Sequence, residues 1–320
     1  MYIVAQFFSL SAFTLCGLAL LVAGAEALVR GGSSIGLRFG LTPLFIGLTI
    51  VACGTSAPEL VVSISAALQG KGDISIANVV GSNIFNIAVI LGITALLMPI
   101  RIHLQVIKID IPIMIGISLL GIGCIASGPL TVIHGLLLVS LLIAYMSFTY
   151  IMARREQQRC EVIAVTEVHP QSSRSVLLDL LFVGGGVALM VEGSNLLVDS
   201  AVSIASLLGV SEAVIGLTLV ATGTSLPELA TSIVATYRKS PEVAVGNVVG
   251  SNIFNILGIL GTTALVTPLS APGVRSVDLA VMLLATLMLL PLAISGKILS
   301  RWEGLLLLLG YGGYLWWLWP

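Results

Sequence analysis

Charge is scarce in this chain: Asp, Glu, Lys and Arg together make up 9% of its 320 residues, against roughly 25% in an ordinary soluble domain. So few charges cannot dress a water-soluble globule. Thiols and imidazoles are equally sparse. The four cysteines, Cys16, Cys53, Cys124 and Cys160, are scattered and form no CxxC, which excludes a disulfide framework and leaves them as small packing residues. A net charge of −1 lacks the concentrated basic surface that a nucleic-acid partner requires. The N-terminus has no basic segment ahead of its apolar run, so it reads as a first membrane helix rather than a leader peptide. No polar stretch is long enough to build a separate soluble domain.

What is present is hydrocarbon: 57% of the residues are hydrophobic, in runs of the roughly 20 residues needed to cross about 30 Å of bilayer. Breaks between the runs predict an all-α polytopic membrane protein of ten transmembrane helices, over residues 3–29, 41–69, 74–98, 107–127, 129–152, 174–199, 211–236, 243–267, 276–295 and 302–319. A charged linker, 153–173, separates residues 1–152 from 174–320, five helices on each side. Cytoplasmic loops collect Lys and Arg. With the N-terminus outside, 12 of the 14 basic residues fall inside and only Lys71 and Arg275 outside. Both termini are therefore expected to be extracytoplasmic and the linker cytoplasmic, in a cell membrane.

The two halves are copies. Ile46 to Glu59 matches Ile215 to Glu228, and Val79 to Ile87 is identical to Val248 to Ile256, both at an offset of 169 residues. An odd number of crossings per copy turns the second copy upside down, giving two inverted five-helix repeats. Such repeats place substrate sites near the midplane, where a helix is interrupted.

The interruption is visible as Gly54-Thr55-Ser56-Ala57-Pro58-Glu59 and Gly223-Thr224-Ser225-Leu226-Pro227-Glu228. Pro58 and Pro227 remove the helical partners of the Gly54 and Gly223 carbonyls, and freed carbonyls at membrane depth need protein, water or an ion to satisfy them. Helical spacing places Thr55 and Ser56 on the face of Glu59, and Thr224 and Ser225 on the face of Glu228. Ser82 and Asn86, like Ser251 and Asn255, also share a face. Two carboxylates, hydroxyls, amides and carbonyls are hard oxygen donors, a set for Ca²⁺ or Na⁺ rather than for metals that prefer His and Cys. His103, His134 and His169 lie away from both motifs. Gly81, Gly92, Gly250 and Gly261 are expected to be close-packing sites. Glu26 and Glu192 are not counterparts at the repeat offset. Each is open to a role in guiding ions or protons, or to one near the interface or in helix packing. Asp73, Asp110, Asp179, Asp199 and Asp278 are expected to be solvated at helix ends.

At these residues the chain resembles the sodium/calcium exchanger family of the cation/Ca²⁺ exchanger superfamily, in its prokaryotic alpha-repeat form. The resemblance covers essentially the whole chain. It implies a secondary antiporter, not an enzyme, that exchanges Na⁺ for Ca²⁺ by alternating access, the first and sixth helices sliding across a fixed core. It implies no cofactor and no obligatory protein partner, with Ca²⁺, Na⁺ and the bilayer as the expected partners. It further implies that Glu59 and Glu228 bridge the Ca²⁺ and Na⁺ sites and that Thr55 and Thr224 give backbone oxygens to Ca²⁺. Ala52, Thr55, Ser56 and Ser82, with Ala221, Thr224, Ser225 and Ser251, would form flanking Na⁺ sites, and Asn86 and Asn255 a central one. Asn255 stands where several relatives carry Asp, which weighs against K⁺ dependence. Gly-Ser-Asn-Ile-Phe-Asn replaces the Gly-Asn-Ala-Ala-Glu-His pattern of proton/calcium exchangers, which favours Na⁺ as the driving ion. The alternatives are a Ca²⁺/H⁺ or K⁺-dependent exchanger, or a passive cation channel lined by the same oxygens. An intramembrane serine enzyme is disfavoured, because no His or Lys shares an apolar segment with Gly-Thr-Ser to activate it.

Overall fold

The computed structural model describes residues 2–163, 175–207, 221–270 and 273–318. Twelve helical segments account for nearly all of it. They are α1 (Tyr2–Phe39), α2 (Pro43–Thr55), α3 (Ala57–Leu68), α4 (Gly72–Leu97), α5 (Val106–Ala126) and α6 (Val132–Ile163), then α7 (Val176–Leu207), α8 (Ala221–Gly223), α9 (Leu226–Tyr237), α10 (Pro241–Val266), α11 (Ser276–Ile294) and α12 (Arg301–Leu318). Among the described residues, seven helices are long and apolar enough to cross a membrane, or eight when the bent pair α2–α3 counts as one span. Large apolar side chains such as Leu15, Ile133, Leu181 and Leu309 are exposed around the outside, a surface that only lipid tolerates on this scale. The chain is a multi-pass integral membrane protein.

Helix ends follow local chemistry. α1 runs ten residues past its expected end at position 29, because nothing stops it before Gly40, which takes a positive φ of 62° that glycine adopts without a Cβ penalty. Thr42 then caps α2, accepting from the Phe45 N–H at 3.2 Å, with Pro43 in the first turn. α6 likewise continues to Ile163, so the first half of the expected linker is helical and its remainder lies outside the described residues. So do His169 and residues 211–220, the first part of the expected seventh helix.

Lipid is as apolar as leucine, so small residues and polar contacts, rather than exclusion from water, hold these helices together. α1 and α7 pack along their length through paired glycines. A Cβ on Gly17 would sit 2.8 Å from the Gly193 carbonyl, and one on Gly24 would sit 2.6 Å from that of Gly186. The two pairs exchange under the 169-residue offset. At the centre α10 lies on α2, where a Cβ on Gly250 would sit 2.5 Å from the Leu48 carbonyl oxygen. Gly92 and Gly261 are close-packing sites as expected, against Gly304 and against Leu138 and Val139. A Cβ on Gly81 would meet nothing within 4 Å among the described residues; residue 217, which the offset relates to Leu48, lies outside them.

The same offset relates the only strand contacts among the described residues. Ile100 pairs with Leu299, next to Arg101 with Ile298, and Leu130 bridges Leu269. Ile100 maps onto Leu269 and Leu299 onto Leu130, so the contacts themselves repeat. α4 and α10, the equivalent pair, are the most deeply buried of the long helices.

Two expectations about acidic residues are corrected. Asp110 and Asp179 are fully buried rather than solvated. Gln105 donates to Asp110 at 3.4 Å, and Arg38 pairs with Asp179 at 3.4 Å, tying the end of α1 to the start of α7. α1 continues past its expected end, so Arg38 reaches Asp179, whereas Asp110, near the start of α5, faces Tyr145 of α6 as well as Gln105. Glu26 takes the packing role left open for it, pairing with Arg30 one turn on and accepting from Arg238 Nε at 2.9 Å at the end of α9.

Candidate cation site

The site is built on two breaks. α2 gives way to α3 at Ser56, with φ −82° and ψ 7°, and α8 gives way to α9 at Ser225, with φ −91° and ψ 5°. The α2–α3 bend is 43°. Pro58 and Pro227 each stand at the start of the following helix, where a missing N–H costs nothing. Glu59 and Glu228 therefore occupy the first turns of α3 and α9, at helix N-termini whose partial positive charge favours an anion. The Gly223 carbonyl freed by Pro227 accepts the Ser194 hydroxyl at 2.5 Å.

Both carboxylates are 1% exposed. Their hydrogen bonds add what a shared face does not specify: each serine donates to the carboxylate of the other repeat. Ser56 donates to Glu228 Oε1 at 2.8 Å, and Ser225 donates to Glu59 Oε1 at 3.1 Å. Because the helix breaks at Ser56 and Ser225, the continuous-helix spacing that would place each serine under its own glutamate no longer applies. Ser82 Oγ lies 3.2 Å from Ser225 Oγ. The crossing of partners makes one buried cluster out of two motifs.

α4 and α10 close the cluster. Each changes from α- to π-helical winding at an asparagine, Asn86 and Asn255, a distortion frequent at functional sites. The Asn86 amide nitrogen donates to Asn252 Oδ1 and that of Asn255 to Asn83 Oδ1, both at 3.0 Å. Asn83 and Asn252 in turn donate to each other's backbone carbonyl at 3.3 Å. With the nitrogen of each amide engaged, the oxygens of Asn86 and Asn255 are left over.

Of the expected site residues, the structure gathers Glu59, Glu228, Ser56, Ser225 and Ser82 through direct hydrogen bonds, and Asn86 and Asn255 through the asparagine lattice. Ser251 and Thr55 are fully buried beside them. Thr55 Oγ1 is bonded to Asn247 Oδ1 at 3.1 Å and lies 3.3 Å from the Ala52 carbonyl. Thr224 donates to Asn78 Oδ1 at 3.5 Å. Ala52 is fully buried in α2, and Ala221 begins α8.

Five buried oxygens of these site residues lack a hydrogen-bond partner: Glu59 Oε2, Glu228 Oε2, Asn86 Oδ1, Asn255 Oδ1 and Ser251 Oγ. Each such atom costs about 1–3 kcal/mol when unsatisfied, and more when it is charged. All five are hard donors, two of them carboxylate, and neither His nor Cys is among them. A bare cation of the Ca²⁺ or Na⁺ type satisfies such a set.

The comparisons with known proteins point the same way. The profile of the sodium/calcium exchanger protein family matches residues 9–151 and 178–319, two blocks separated by the repeat offset. The putative antiporter CaxA of Alkalimonas amylolytica is 39% identical over 310 residues, spanning 94% of this chain and 96% of that protein. The sodium/calcium exchanger MaX1 of Methanosarcina acetivorans is 34% identical, spanning 94% and 96%. The solved structure of the sodium-calcium exchanger NCX_Mj soaked with zero Na⁺ and Ca²⁺ superposes with a TM-score of 0.81 at 32% identity, over 97% of this chain and 98% of that one. With the family profile covering both halves and relatives alike from end to end, this chain belongs to the sodium/calcium exchanger family.

Proposed function

We propose that the protein is a secondary antiporter that exchanges Na⁺ for Ca²⁺ by alternating access. One observation carries this reading: two carboxylates from two symmetry-related helix breaks share a buried cluster with three further unpartnered neutral oxygens. Ca²⁺ and Na⁺ both suit such oxygens, so they compete for Glu59 and Glu228, and occupancy by either ion offsets the burial of charge. Competition is then the coupling, because the unloaded, doubly charged site is the form least able to pass through the closed state.

In this reading the chain comprises ten membrane helices in two inverted repeats, residues 1–152 and 174–320, joined by a cytoplasmic linker at 153–173, with both termini outside a cell membrane. Glu59 and Glu228 bridge the sites, and Thr55 and Thr224 add backbone oxygens for Ca²⁺. Ser56, Ser82, Ser225 and Ser251, with Ala52 and Ala221, flank them for Na⁺, and Asn86 and Asn255 complete the centre. The tight α1–α7 glycine packing supports a unit that moves as one body against the remainder.

Proteoliposomes loaded with Na⁺ and diluted into Na⁺-free medium are expected to accumulate radioactive calcium, and to lose it when external Na⁺ is restored. Uptake that ignores the Na⁺ gradient but follows a proton or K⁺ gradient would reassign the driving ion. Steady single-channel current would replace exchange with conduction.

A further inference from the structure

Asn78 and Asn247, related by the 169-residue offset, lie outside every motif discussed so far, yet each has both its amide nitrogen and its amide oxygen engaged at the site. The Asn247 nitrogen donates to the Glu228 backbone carbonyl at 3.3 Å and to Ser232 Oγ at 3.1 Å, while its oxygen accepts from Thr55 at 3.1 Å. Asn78 does the same with the Glu59 carbonyl at 3.3 Å, Ser63 at 3.0 Å and Thr224 at 3.5 Å. A carbonyl only accepts, so the Glu carbonyl fixes which way each amide faces. The amide oxygen is thereby turned to the threonine, whose hydroxyl must donate to it.

From this geometry we infer that Asn78 and Asn247 are positioning residues that join the two half-sites crosswise, each holding the carboxylate turn of its own repeat and the threonine of the other. The inference rests on the exchange reading above. It has a chemical consequence for Thr55. The other acceptors within reach of its hydroxyl are the Ala52 carbonyl, 3.3 Å away, and the Glu228 carboxylate. Asn247 draws that hydroxyl toward itself, out of competition with a cation for the Ala52 oxygen. The threonine side chains act as tethers, and what they present to the ion is backbone. Removal of either end of a tether breaks the same link, so the two losses do not add.

The test is a double-mutant cycle read by equilibrium binding of radioactive calcium to the purified full-length protein, with Na⁺ competition as a second readout. Asn247→Ala and the near-isosteric Thr55→Val are each expected to weaken calcium binding by about tenfold, the scale of one buried hydrogen bond. Their combination is expected to bind no worse than Asn247→Ala alone. Thr55→Val combined with Asn78→Ala, which belong to different tethers, is expected to be additive, near a hundredfold. If Asn247→Ala does not fold, Asn247→Asp keeps the acceptor for Thr55 and loses the donor to Glu228; it is expected to weaken binding while remaining coupled to Thr55→Val. Additive losses for Asn247 with Thr55, in a wild type that binds calcium, would overturn the tether alone. Equal non-additivity for the mismatched pair would overturn it as well, by showing general collapse. A wild type that binds no calcium would overturn the exchange reading and this inference with it.

Discussion

Glu59→Gln and Glu228→Gln are each expected to abolish measurable Na⁺-driven calcium uptake while leaving a folded, monodisperse protein. The two glutamates contribute the only carboxylate oxygens among the five unpartnered atoms. Breaking a buried charge pairing costs about 3–5 kcal/mol, or roughly two to four orders of magnitude in affinity for the divalent ion, since about 1.4 kcal/mol is tenfold. The fold survives for a definite reason. Glutamine keeps an oxygen where Ser225 or Ser56 donates, and neutralising a carboxylate in an apolar interior removes a desolvation cost rather than adding one. The unliganded variants are therefore expected to melt at or above the wild-type temperature. Added calcium, which raises the wild-type melting point by mass action, should move theirs little. A variant that exchanged calcium at near wild-type rate would remove the carboxylates from the mechanism.

Gly250→Val should disable the protein by a different route. At this position α10 approaches the α2 backbone so closely that a Cβ would lie 2.5 Å from the Leu48 oxygen and 2.8 Å from its carbonyl carbon and Cα. Backbone cannot swing aside as a flexible side chain can. The helices must separate, and overpacking of this kind costs about 1–3 kcal/mol or more. α10 carries Ser251 and Asn255, while α2 carries Thr55 and ends at Ser56, so separation also opens the site. The expected result is a melting point lowered by several degrees and weakened calcium binding. Gly116→Ala is the control, since a Cβ there meets nothing within 4 Å among the described residues and alanine favours a helix. If Gly250→Val were as stable as that control, the close approach of α10 to α2 would be wrong.

Much of this site is legible in the sequence because its strongest signals are covalent or repeated. Pro58 and Pro227 break their helices wherever they occur, and the identical stretches at a fixed offset single out Glu59, Glu228, Asn86 and Asn255. What stays hidden is partner choice. Helical periodicity relates a serine to the glutamate three residues on, whereas the break at Ser56 sends its hydroxyl across to Glu228. No local rule reports a contact between residues 172 apart. Asn78 and Asn247 carried an available signal, because the identity between the repeats extends one residue upstream of Val79 and Val248 to include them. Their polarity in an apolar helix marks them, and Ser63 and Ser232 share the same offset. Burial of Asp179 escaped for the opposite reason: charge near a predicted helix end looks solvated until the neighbouring helix, here α1 with Arg38, proves longer than its apolar run. Asp110 escaped because its cover comes from Tyr145 on a different helix, which no local rule reports.

The cluster holds two acidic groups amid amides and alcohols that carry no formal charge. One divalent ion, or two monovalent ones, cancels that pair; every additional monovalent ion leaves the loaded carrier with an excess of +1. Moving a unit charge through the full membrane field changes its free energy by about 2.3 kcal/mol per 100 mV. Under the proposed exchange, swapping one calcium for more than two sodiums would therefore carry current, and a voltage across the membrane would act on it as a second driving force beside the sodium gradient.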